Sequence, residues 1–219
     1  MKASRIAVVT ESGNGLGNSL AHILLENKYN VILAANKESY QLLSQDAKSL
    51  QKFKLIETDF TCEKSLLELK SLIDSEFGSL DLLVNNAEIA NGFGQKIDQI
   101  NIDDVRQVYE MNLFAVIRII QLLKPLLEKS ETPKIINITS ALGNIENMKD
   151  ENFCYVNYCM TAYATSKAAL NMYTQLQAQE FMPSKIKINT FDPIARKNCT
   201  HNSVEIKEEI KDEFVALIK

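Results

Sequence analysis

Arg5-Ile-Ala-Val-Val-Thr-Glu-Ser-Gly-Asn-Gly-Leu-Gly17 is the stretch that decides the fold. Residues 5–10 form a short apolar run bounded by polar residues, the pattern of a strand buried on both faces. Gly13, Gly15 and Gly17 follow at once. Residues 15–27 then place Leu16, Leu20, Ile23 and Leu24 on one helical face. A strand, a glycine cluster and a helix in that order bring backbone amides to a helix N-terminus, where a pyrophosphate binds well. A glycine cluster alone is also compatible with a plain turn.

The rest of the chain repeats the alternation. Strand patterns fall at 30–35, 53–57, 80–84, 134–138 and 185–191. Helical patterns fall at 39–50, 63–77, 102–129, 161–181 and 203–218, with Pro125 late in the fourth helix after the glycine turn. Apolar strands each followed by a helix predict an α/β, doubly wound (Rossmann-like), mostly parallel sheet with helices on both faces. No linker or low-complexity tract divides residues 1–219, so one domain is expected. Ligands of such sheets bind at the carboxyl ends of the strands.

Composition narrows the function classes. The chain of 219 residues is 46% hydrophobic and 24% charged, with a formal net charge of −4. That balance gives no support to nucleic-acid binding, which favours basic surfaces. No stretch approaches the ~18 apolar residues of a membrane span. Cys62, Cys154, Cys159 and Cys199 form no CxxC pair, and His22 and His201 are far apart, so no metal site is expected. Reduced thiols and a cytoplasmic location are the simplest reading.

Further residues carry chemistry. Asn85-Asn86-Ala87 follows the fourth strand, Asn112 lies in the long helical run, and Ser140 follows the fifth strand. Tyr163 and Lys167, four residues apart in Tyr-Ala-Thr-Ser-Lys, share a helix face. Each alone is unremarkable: a Tyr–Lys pair is usually superficial and a serine after a strand usually caps a turn. Together, in this order and over residues 4 to 200, they resemble the short-chain dehydrogenase/reductase family, in particular its carbonyl-reductase-like branch. In that branch an insertion separates the serine from the tyrosine, as residues 144–160 do here.

The resemblance implies an oxidoreductase using NAD(P)(H). Tyr163 would exchange a proton with a carbonyl or alcohol oxygen, its pKa lowered by Lys167. Ser140 would polarise that oxygen, and Asn112 would hold a water in a relay to Lys167. Thr10, Gly13, Gly15, Leu16, Gly17, Asp59, Asn86, Ala87, Lys167 and Pro193 would line the cofactor site. Lys37, after the second strand where no acid stands, leans the choice toward NADP(H) over NAD(H). A small-molecule substrate is implied, with Phe153, Tyr155 and Tyr158 as candidate walls or packing residues. Oligomeric state stays open.

The sequence departs from the family at three glycines. Glu11 replaces the first glycine of TGxxxGxG, Glu88 the glycine of NNAG, and Ile194 the glycine after Pro193. A carboxylate ~5 Å from one phosphate charge costs about 3 kcal/mol at an effective dielectric of ~20. Either both acids point harmlessly outward, or they oppose the nucleotide. The chain after Pro193 is also short. A substrate-covering region and a last strand are expected to be reduced, leaving a sheet edge that a partner chain could cover. The alternative to an oxidoreductase is therefore a cofactor-impaired Rossmann-like binding or regulatory protein.

Overall fold

The computed structural model describes residues 5–11, 15–45, 53–193, 206 and 208–219. Six parallel strands form one sheet: β1 (Arg5–Glu11), β2 (Tyr29–Ala35), β3 (Lys54–Glu57), β4 (Leu82–Asn85), β5 (Lys134–Ile138) and β6 (Lys187–Phe191). Their spatial order is β3-β2-β1-β4-β5-β6. The order reverses between β1 and β4, which makes the crevice beyond their carboxyl ends the natural ligand site. Glu11 ends β1 and Glu88 follows β4, so both acids stand at that crevice.

Among the described residues the α-helices are α1 (Leu16–Glu26), α2 (Lys37–Ser44), α3 (Glu63–Glu76), α4 (Ile102–Tyr109), α5 (Val116–Leu127), α6 (Thr161–Glu180) and α7 (Glu208–Ile218). Alternate side chains of each strand feed two cores. Val8, Ile32, Leu83 and Ile135 meet α3, α5 and α6 on one face. Val9, Leu33, Val84 and Ile136 meet α1 and α7 on the other. This two-sided burial is why the strands read as continuous apolar runs.

Three sequence expectations are corrected. The expected single helix over 102–129 is interrupted by a π-helical turn, Glu110–Ala115, that carries Asn112. Such a turn inserts a residue into the helical ladder and re-aims side chains. On α7 the buried stripe is Ile210, Phe214 and Ile218, with Leu217 only partly buried. The sequence pattern of 203–218 predicts a stripe of Val204, Ile210, Phe214 and Leu217, of which Val204 lies outside the described residues. Phe214 packs on Phe191, ring centroids 5.1 Å apart. The last carbonyls of α7 are bound from the sheet: the Tyr29 hydroxyl donates to Ile218 O at 3.0 Å and Lys134 Nζ to Leu217 O at 3.0 Å. Finally, Cys62 and Cys159 are free thiols, but Cys154 is disulfide-bonded, a pairing that sequence spacing does not reveal.

No helix among the described residues is long and apolar enough to cross a membrane. Among those residues no group of three or more His, Cys, Asp or Glu side chains is arranged to hold a metal ion.

Candidate active site

The floor of the crevice is a clamp between β1 and β4. Thr10 Oγ1 accepts from both Asn86 N and Ala87 N at 2.9 Å, and Asn86 Nδ2 donates to Thr10 O at 2.9 Å. All three residues are buried. Thr10, Asn86 and Ala87, expected to touch a cofactor, thus first tie the two loops together.

The glycine turn comes next. Gly15, at φ +75°, is the N-cap of α1 and offers no side chain to its free amides. Glu11 fills that role. Its side chain turns inward, the residue is 1% exposed, and Oε2 accepts from Asn18 N in the first turn at 3.2 Å. The same oxygen lies 2.1 Å from where a Cβ on Gly17 would stand. The bare Gly17 thus leaves room for the Glu11 carboxylate, whereas the sequence reading gave its missing side chain to a pyrophosphate. Leu16 starts α1 beside it. Gly13 lies outside the described residues. Asn18 Oδ1 and Asn86 Oδ1 are buried without hydrogen-bond partners among the described residues.

The catalytic end is also taken by an acid. The Tyr163 hydroxyl lies 3.1 and 3.2 Å from the two Glu88 oxygens. Lys167 Nζ contacts Glu88 Oε2 at 2.5 Å and donates to Ile138 O at 2.8 Å. Tyr163 and Lys167 are buried on one face of α6. Burial pushes the Tyr163 pKa well above its usual 10, and the charge and hydrogen bond of Glu88 push the same way; a hydrogen bond with Ser140 opposes them, and Asp192 adds a smaller push upward. The sequence expectation, a tyrosine acidified by Lys167, is reversed here. Glu88 stands between the phenol and the ammonium and engages both.

Glu88 is fixed from both sides. Ala87 is held by Thr10, and Ile89 by Asn112, whose Oδ1 accepts from Ile89 N at 2.9 Å and whose Nδ2 donates to Ile89 O at 3.0 Å. Asn112 Nδ2 also reaches Ser166 Oγ at 3.1 Å. The side chain of Asn112 thus anchors the Glu88 segment, a use its sequence position did not suggest. Ser140 Oγ accepts from Leu142 N at 3.3 Å. Gly143 in the following turn packs so closely on α6 that a Cβ there would stand 2.7 Å from the Lys167 carbonyl carbon.

The outer residues of the crevice are less constrained. Lys37 is exposed at the first position of α2, while Asn36 is used as that helix's cap through Ser39 N at 2.9 Å. Asp59 is exposed and its Oδ1 accepts from Thr61 N and Oγ1 at 2.9 and 2.8 Å. Pro193 is half-buried. The insertion's aromatics pack on one another: Phe153 on Tyr155, Tyr155 on Tyr158, and Tyr158 on Phe93, each at 5.4 Å. The cavity of about 510 Å³ beside Ser140 is lined instead by 144–147 and by Asn171, Met172 and Gln175.

Residues 5–210 match the short chain dehydrogenase family. The chain belongs to that family. An uncharacterized oxidoreductase of Staphylococcus aureus (strain MW2) is 29% identical over 194 residues, 86% of this chain and 77% of that protein. The 7alpha-hydroxysteroid dehydrogenase of Escherichia coli (strain K12) is 29% identical over 192 residues, 86% of this chain and 70% of that protein. Among solved structures, NADPH-bound carbonyl reductase from chicken fatty liver superposes with a TM-score of 0.75 at 25% identity, covering 87% of this chain and 79% of that one. RhlG of Pseudomonas aeruginosa in its NADP complex gives 0.73 at 26% identity, covering 88% and 73%. Membership supports NAD(P)-dependent oxidoreduction and a small-molecule substrate. The backbone of this short-chain dehydrogenase fits a dinucleotide, with a left-handed Gly15 and a Gly17 lacking a side chain at a helix start. Its side chains as they stand do not, because Glu11 takes the Asn18 amide of α1 and the space over Gly17, and Glu88 engages both Tyr163 and Lys167.

Proposed function

We propose that this short-chain dehydrogenase reduces a carbonyl or oxidises an alcohol, and that NADP(H) serves it once Glu11 and Glu88 have turned aside. One observation carries the reading. The Tyr163 hydroxyl and the Lys167 ammonium converge on a single oxygen, Glu88 Oε2, at 3.1 and 2.5 Å. A buried phenol and ammonium aimed at one oxygen are what a polarised carbonyl needs.

In this proposal a substrate oxygen takes the place of Glu88 Oε2. Tyr163 gives it a proton in reduction and takes one in oxidation. Ser140 donates a hydrogen bond to the same oxygen. Lys167, freed from Glu88, acidifies the phenol. Asn112 holds the 87–89 segment, and a water relay from it to Lys167 remains part of the proposal. A nicotinamide held beside Tyr163 would supply or accept the hydride. Thr10, Gly13, Gly15, Leu16, Gly17, Asp59, Asn86, Ala87 and Pro193 form the remaining cofactor surface, and exposed Lys37 favours the 2′-phosphate of NADP(H).

The test is turnover of a panel of aldehydes and ketones with NADPH and with NADH, comparing the wild type with Tyr163→Phe. Loss of an acid–base group costs about 10²–10⁴ in rate. A fall in that range, with NADPH preferred, supports the proposal. Equally poor turnover by the two proteins would favour a binding or regulatory role without chemistry.

A further inference from the structure

Two carboxylates of the chain sit where the reading of this crevice puts a ligand's polar groups. Glu11 binds an amide at the start of α1, an 11-residue helix whose own cap is a glycine. A carboxylate there satisfies a free N–H and complements the helix dipole, as a phosphate would. It also fills the volume over Gly17 that would admit an outside group. Glu88 binds the phenol and the ammonium of the catalytic pair, as a substrate oxygen would. Both belong to one frame, because Thr10 is chain neighbour to Glu11 and clamps Ala87 next to Glu88.

We propose that Glu11 and Glu88 are internal ligands of the dinucleotide crevice, stabilising the protein without nucleotide and competing with nucleotide, Glu11 for the start of α1 and Glu88 for Lys167, which the cofactor and the substrate-binding pair share. The proposal rests on the oxidoreductase reading of the crevice. It deepens that reading by naming what sets nucleotide affinity.

Competition of this kind has a signature that a merely structural residue lacks. Removing either acid takes a partner from buried groups and lowers the stability of the free protein. Removing it also clears the crevice and raises affinity for the nucleotide. Stability and affinity therefore move in opposite directions. An ordinary structural side chain moves them together.

The backbone on both sides of Glu88 is pinned by Thr10 and Asn112. Displacement of Glu88 is thus a side-chain rotation, not a loop movement. Its cost falls on the ion pair with Lys167, whose side chain is only 3% exposed. Glu88 is itself 21% exposed, so it has solvent to turn into. Glu11 is 1% exposed, so its carboxylate turns aside only if the groups packed around it also move. The stronger obstacle to a diphosphate is therefore Glu11.

The experiment is a set of thermal melts with and without NADPH. The proteins are the wild type, Glu11→Gly, Glu88→Gly and the double variant. Glu11→Gln with Glu88→Gln serves as a second double variant that keeps side-chain volume and removes charge. Without nucleotide, Glu11→Gly is expected to lower Tm by roughly 2–4 °C, the effect of losing a helix cap in a chain of this size. Glu88→Gly is expected to lower it further. With NADPH the double variant is expected to gain more Tm than the wild type, corresponding to binding about a hundredfold tighter. Variants that lose both stability and nucleotide binding would overturn the proposal. So would a wild type that binds NADPH as tightly as both double variants, while leaving the oxidoreductase reading intact. Failure of all five proteins to bind NADPH or NADH would overturn both.

Discussion

The two ends of the crevice hold a carboxylate in different ways. At the β1 end Glu11 meets a neutral backbone amide and the positive end of a helix dipole. At the β4 end Glu88 meets a full positive charge, Lys167, and a phenol whose proton it helps to keep. The first arrangement is built by backbone and needs only a glycine turn and a helix. The second is built by three side chains from two distant parts of the chain. A loss of partner should therefore cost little at the first and much at the second, even though the same residue type occupies both.

The largest break is expected from Glu88→Ala. It leaves the Lys167 ammonium buried with the Ile138 carbonyl, and breaking a buried pair in this way costs about 3–5 kcal/mol. Urea denaturation measures the loss. Adding Lys167→Met should return part of it, because the unpaired charge is then gone.

A middle-sized effect is expected at the clamp that joins the two ends. Thr10→Val keeps the volume and removes the oxygen that Asn86 N and Ala87 N share. Losing this shared buried acceptor costs about 1–3 kcal/mol. Chemical denaturation checks the size. Amide hydrogen exchange should rise at 86–89 as well as beside Glu11 if the two ends are mechanically joined.

The pH dependence sharpens the contrast at the β4 end. Tyr163 has a pKa raised above 10, chiefly by burial and then by Glu88. Stability tied to its proton is fully present below pH 10 and is lost as pH rises above 10 toward the raised value. Absorbance titration at 295 nm, read as the difference from Tyr163→Phe, should show this phenol ionising after an ordinary tyrosine. Glu88→Gln should move the transition to lower pH, while Glu11→Gln should leave it in place. The smallest effect is expected at the rim. Lys37→Ala should change stability by less than about 0.5 kcal/mol while weakening NADPH more than NADH in a binding titration.

Much of this was legible in the sequence. Apolar runs such as NVILAA placed β2 within a residue of its bounds, because a strand buried on both faces has no polar alternation to confuse the reading. Tyr163, Lys167 and Ser140 were readable as a group from their order; the structure sets Tyr163 and Lys167 on Glu88, with Ser140 beside Tyr163. The π-helical turn at Glu110–Ala115 was not legible, since its hydrophobic period differs little from that of the helix around it. As a result the hold of Asn112 on Ile89 was missed. Glu11 and Glu88 stood out as misplaced charges, yet sequence gives a charge without its direction. Only the geometry shows that α1 and Lys167 draw them inward. The aromatics of the insertion were ambiguous for a related reason: spacing cannot tell a wall facing a ligand from rings facing each other.

The most direct test of the account is a calorimetric titration with NADPH at neutral pH, run on the wild type and on the double variant Glu11→Gly/Glu88→Gly. The account predicts that the double variant binds about a hundredfold more tightly. Equal affinities would contradict it, because the two carboxylates would then not occupy the places where the nucleotide binds.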